Sequence, residues 1–123
     1  MRLLLIISIA LHVLSSVFWA GSTFVLARSG GAEAAKLFRP QMGAATVAAL
    51  TGGVLWGLAH RGGFGTMEKV LAAGAAAALT AFAVQFLVVG RGLRAGAAVA
   101  VPYRISAGLL MLALICMATA RYI

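Results

Sequence analysis

The chain has 123 residues, 63% of them hydrophobic, with a mean hydropathy of +1.07 and only twelve formal charges, ten basic and two acidic. So short a soluble chain has too little interior to hide that much apolar surface. A soluble enzyme, a disordered tail and a nucleic-acid-binding domain are thereby excluded, and the +8 balance marks membrane surfaces instead, because the basic residues sit between long apolar runs.

The first run, between Arg2 and Arg28, is free of charge for 25 residues. It is too long for a secretory h-region, although Ala20-Gly21-Ser22 resembles a cleavage site. The second run (Arg39 to Arg61) and the third (Lys69 to Arg91) each hold 21 uncharged residues. The fourth, between Arg104 and Arg121, holds 16, and its flanking arginines can snorkel to the two interfaces. A spanning helix needs about 20 residues to cross ~30 Å of hydrocarbon. The expected fold is therefore all-α: one integral membrane four-helix bundle over residues 1–123, with spans near 3–27, 40–60, 67–90 and 102–121. Pro40 opens the second helix, and Pro102 suits the first turn of the fourth.

Connections are short, which leaves no room for an extramembrane domain. The two even connections, with Arg104, carry six basic residues, and the opposite side carries four. The positive-inside rule then puts both termini outside the cytoplasm, in a membrane expected to be the bacterial inner one.

Fifteen glycines point to close helix packing. Gly53-Val-Leu-Trp-Gly57 is a GxxxG pattern and Gly74-Ala-Ala-Ala-Ala78 a small-xxx-small variant. They serve either the chain's own bundle or a subunit interface, and a homo-oligomer or a place in a membrane complex is expected. Trp19 and Trp56 lie near span ends, where an interfacial aromatic belt forms. Trp19 could instead stack on a flat cofactor.

His12 carries the most information. It lies ten residues after Arg2, roughly 15 Å into the bilayer. A midplane imidazole is costly unless it is paired, and it marks a functional site. Ser8, Ser15, Ser16, Trp19 and Thr23 share its helix face. Three roles fit: a hydrogen-bonded histidine inside the bundle, a cofactor or metal ligand, or a proton relay. Heme iron suits it, because one ring nitrogen ligates while the other takes a supporting hydrogen bond, here expected from Ser8, Ser15 or Ser16.

His60 reads as an interfacial residue beside Arg61. Lys69 is either a snorkelling anchor paired with Glu68 or a cation reaching toward a cofactor. Arg39 and Arg104 are interfacial anchors that could also hold a propionate. Gln85 is expected to bond between helices. Met42, Met111, Cys116 and Met117 form a softer set that would suit Cu(I), without an MxxxM or CxxC pairing. No acid lies inside the four uncharged runs, which argues against a carboxylate-coupled transporter.

The run Ala10-Leu-His12-Val-Leu-Ser-Ser-Val-Phe-Trp19-Ala-Gly21 resembles the first helix of the CopD and HemJ group of small membrane proteins. Arg39-Pro-Gln-Met42, Lys69-Val-Leu, Gly90-Arg91 and Arg104-Ile105 align more loosely with helix openings and ends in HemJ-like chains. The resemblance implies a heme b protein that oxidises protoporphyrinogen IX, or one that passes electrons to a partner. It maps ligation onto His12 and catalysis onto Lys69, while Trp19, Arg39 and Arg104 are cofactor-contact candidates by their own positions. CopD relatives imply copper handling as the alternative, and a non-catalytic accessory subunit is the third reading. Where HemJ-like chains follow the fourth-helix arginine with Asn-Glu, this one has Ser106-Ala107-Gly108.

Overall fold

A computed structural model describes residues 2–59, 65–120 and 122. Among the described residues there are four helices and no strand: α1 (Arg2–Ser29), α2 (Ala34–Ala59), α3 (Thr66–Arg94) and α4 (Ala100–Ala120). They run up-down-up-down. α1 packs along both α2 and α4, α4 packs along α3, and α2 and α3 touch only lightly.

The turns follow from glycine. α1 ends in a Schellman motif: Gly30 takes φ +75°, and the Gly31 N–H donates to Leu26 C=O at 2.8 Å. Gly31 is itself left-handed, at φ +84°, and a Cβ there would lie 2.8 Å from Val99 Cγ2. Both constraints demand glycine at the point where the first turn meets the start of α4. α3 ends the same way around Gly96, with Ala97 N–H donating to Gly92 C=O at 2.7 Å.

Two boundaries depart from expectation. α2 begins at Ala34, so Pro40 lies inside it rather than opening it. The early start is stabilised by packing: Ala34, Leu37 and Phe38 join Leu26, Val89, Val99 and Tyr103 in an apolar cluster under the turns. α3 runs past residue 90 to Arg94 and contains a π-helical stretch, Val84–Val89. Its buried residues Ala77, Ala81, Gln85 and Val89 recur every four positions. That spacing drifts around an ideal helix of 3.6 residues per turn, and the wider π turn keeps Gln85 and Val89 turned inward.

α1, α3 and α4 are long and apolar enough to cross a membrane. α2 is as long but less apolar, since it carries Lys36, Arg39, Gln41, two threonines and four glycines. The outward faces are oily: Leu3 is 69% exposed, Leu14 70% and Val17 66%, while the core is built largely of alanine.

The glycine patterns divide. Gly74 is buried, and a Cβ there would lie 2.9 Å from Cys116 Cβ and 3.3 Å from Ala113 O. It packs α3 onto α4 within the chain. Gly74→Ala should lower the thermal stability of the purified protein by about 1–3 kcal/mol, because both obstructing atoms belong to or adjoin a helix backbone that must shift. Gly53 and Gly57 instead face outward, with nothing within 4 Å of a Cβ at either. The close-packing glycine of α2 is their neighbour Gly52.

Candidate functional site

His12 is half-buried in the contact between α1 and α2. Its Nδ1 lies 2.9 Å from Ala48 O and 3.0 Å from Thr51 Oγ1. A carbonyl oxygen can only accept, and the Thr51 hydroxyl donates to Val47 O at 2.7 Å. Nδ1 therefore carries the proton and shares it between two acceptors, which leaves the Nε2 lone pair for another partner. Gly52 makes the seat: a Cβ there would lie 3.2 Å from His12 Cε1. The support thus comes from α2. Of the serines expected in that role, Ser15 donates to the Leu11 and His12 carbonyls instead. A serine on a helix reaches its own preceding turn more readily than a ring on the same face.

A second polar system joins all four helices. Trp19 Nε1–H donates to Gln85 Oε1 at 2.8 Å, and Gln85 Nε2 donates to Thr23 Oγ1 at 2.9 Å. Thr23 closes locally onto Trp19 O at 2.7 Å. Gln41 Nε2 donates to Ser22 Oγ at 2.9 Å, with a longer 3.4 Å contact to Thr23 Oγ1. Tyr103 OH donates to Gln41 Oε1 at 2.6 Å. Thr23, Gln41, Gln85 and Tyr103 are all fully buried. Gln85 thus makes the interhelical bonds expected of it.

Trp19 is corrected. It is 4% exposed and forms part of the core, edge-on to Phe82 with ring centroids 6.0 Å apart. With its N–H held by Gln85 and its rings enclosed, it neither belongs to an interfacial belt nor presents a face to a cofactor. Trp56 is half-buried.

The remaining candidates do not gather around His12. Arg39 lies twelve residues before Thr51 on α2, about 18 Å along the axis. Its side chain is exposed and lines a groove between α2 and α3. Arg104 is exposed at the same end, next to Tyr103. Lys69 is exposed at the opposite end, near the start of α3. With Trp19 and Gln85 as the reference level, Lys69 sits roughly 13 Å further along the axis than His12. The Glu68 carboxylate accepts the Gly65 N–H at 2.9 Å, tying down the residue before α3. His60 lies outside the described residues.

Among the described residues, no three His, Cys, Asp or Glu side chains group to hold a metal ion. Cys116 lies against Gly74, and Met111 is 55% exposed.

Sequence reasoning missed Gln41 and Tyr103. The available signal was that both glutamines of the chain fall inside apolar runs. Ser106, one turn beyond Tyr103, is fully buried, and its hydroxyl is without a hydrogen-bond partner among the described residues. Ser106→Ala should hold or raise the unfolding temperature in detergent, since it removes an unpaired buried polar group. No family model, curated protein or solved structure matches the chain, so the likeness of its first helix to the CopD and HemJ group rests on the residues that carry it.

Proposed function

We propose that the chain is a multi-pass integral membrane protein that binds heme b through Nε2 of His12 and passes single electrons to a partner. One observation carries the ligand assignment: the Nδ1 proton is committed to Ala48 O and Thr51 Oγ1, and Nε2 is left as the donor atom. Iron-ligating histidines are held by this kind of support, which fixes the tautomer and ring orientation. Bound heme would supply a one-electron couple. The chain supplies the oriented imidazole, an apolar surround and a rigid α1–α2 seat. Lys69 stands away from His12, so the geometry supports heme binding ahead of a HemJ-like oxidation that uses both residues. Thr51→Val tests the support directly. It should retain heme but shift its midpoint potential, read by redox titration, whereas an unchanged potential would remove Thr51 from the site.

A second reading is favoured by the same two hydrogen bonds, which occupy Nδ1 and clamp α1 to α2 without any cofactor. In that reading the chain is an accessory subunit, and purified wild type from heme-replete cells would be colourless. The copper reading has no group of three His, Cys, Asp or Glu side chains behind it among the described residues.

Three helices long and apolar enough to cross a membrane, and the oily outer faces, support membrane insertion. Four alternating helices would leave both termini on one side, and the six-to-four basic bias supports that side lying outside the cytoplasm. In a Cys116→Ala background, an impermeant thiol reagent added from outside should label Gly65→Cys and spare Ala32→Cys. The reverse pattern would invert the orientation and leave the helices as they are. The outward Gly53 and Gly57 suit self-association through α2, and native mass spectrometry should then find a dimer or larger species.

A further inference from the structure

The α2–α3 seam opens near the turns into a groove of about 440 Å³. Its floor is apolar: Phe38 crosses α3 at Gly90, where a Cβ would stand 3.2 Å from its ring, and Phe86 and Leu87 continue the surface outward, 56% and 53% exposed. Its rim is basic, with Arg39 from α2 and Arg91 and Arg94 from α3. A fourth cation, Lys36, is paired with Glu33 at 3.5 Å. The chain has only two acidic side chains, and the other, Glu68, sits at the far end of α3. Among the described residues, no acidic side chain pairs with the three arginines.

We propose that this groove binds an anionic phospholipid, with the phosphate headgroup against Arg39, Arg91 and Arg94 and the acyl chains along Phe86 and Leu87. Guanidinium groups match phosphate geometry in a way that isolated ammonium groups do not. Basic pockets between spanning helices recognise headgroups for this reason. An apolar floor that continues into an exposed apolar face fits an amphiphile better than a free anion. The proposal rests on the membrane reading and is independent of heme.

The test is native mass spectrometry of the full chain, released from nanodiscs holding equal phosphatidylglycerol and phosphatidylcholine. Wild type should retain phosphatidylglycerol selectively. Each arginine changed to glutamine should weaken retention by about fivefold, so the Arg39→Gln, Arg91→Gln, Arg94→Gln triple variant should lose it on the order of a hundredfold. Arg2→Gln, an equal charge removed at the other end, should change nothing. All three arginines are exposed and glutamine is a good helix former, so the triple variant should keep its circular dichroism spectrum. Equal retention of the two lipids, a triple variant that behaves as wild type, or complete displacement by inorganic phosphate would overturn the proposal. Recovery of wild type in the soluble fraction after carbonate extraction would overturn the membrane reading with it.

Discussion

His12→Ala is expected to purify from the membrane fraction in normal yield and almost without heme. The substitution deletes an imidazole held with Nδ1 paired and Nε2 left for a ligand, and leaves untouched the apolar runs that drive insertion. Loss of the two interhelical hydrogen bonds should cost only about 1 kcal/mol, at about 0.6 kcal/mol for each such bond in a membrane bundle. Heme loss and stability loss should therefore separate: heme per chain falls at least tenfold while the unfolding temperature moves by a few degrees. Gly52→Leu should act on the same seat from the opposite helix, because its side chain must enter space that His12 Cε1 occupies. Heme content equal to wild type in His12→Ala would show that the ring only clamps α1 to α2.

The largest effect on stability is expected at Gln85. Gln85→Leu removes two interhelical bonds and strands the Trp19 N–H in the core. An orphaned buried donor costs about 1–3 kcal/mol beyond the bonds themselves, so a total on the order of 2–4 kcal/mol is expected by reversible unfolding in detergent. Trp19→Phe combined with Gln85→Leu should be less destabilised than the two single losses added, because the double variant has no stranded donor. Strict additivity would show that the two side chains are not coupled. Tyr103→Phe should have a smaller effect, since it removes one bond and leaves Gln41 Oε1 with a lone pair to satisfy.

The helices were legible because charge spacing in an apolar chain is a direct physical constraint. Arg2, Arg28, Lys69 and Arg104 lie close to the ends of helices that the structure draws. The start of α2 was less legible. Pro40 looks like a helix opener in sequence, and only the packing of Leu37 and Phe38 against Val89 and Val99, remote in the chain, explains the extra turns before it. The π stretch at Val84–Val89 was equally hidden, since it answers to what α3 must turn toward the core.

At the site, the place of His12 ten residues into α1 could be read from its distance to Arg2, whereas its partners could not. Helical spacing brought forward serines on the same face, but the ring reaches across to Ala48 and Thr51, a choice fixed by the α1–α2 register. Trp19 was misread for a related reason. Sequence position places it near a span end, and only the presence of Gln85 and Phe82 opposite shows that it points inward. Arg39 and Arg104 lie at one end of the bundle and Lys69 at the other, all of them away from His12, because cations of an apolar chain gather toward the helix ends.

The most direct measurement is the reduced-minus-oxidised absorption spectrum of detergent-purified wild type from heme-replete cells, with heme quantified per chain. The account predicts a Soret band, sharp reduced-state bands and a fixed ratio of heme to chain that His12→Ala abolishes. A featureless spectrum from well-folded, membrane-extracted protein would contradict it.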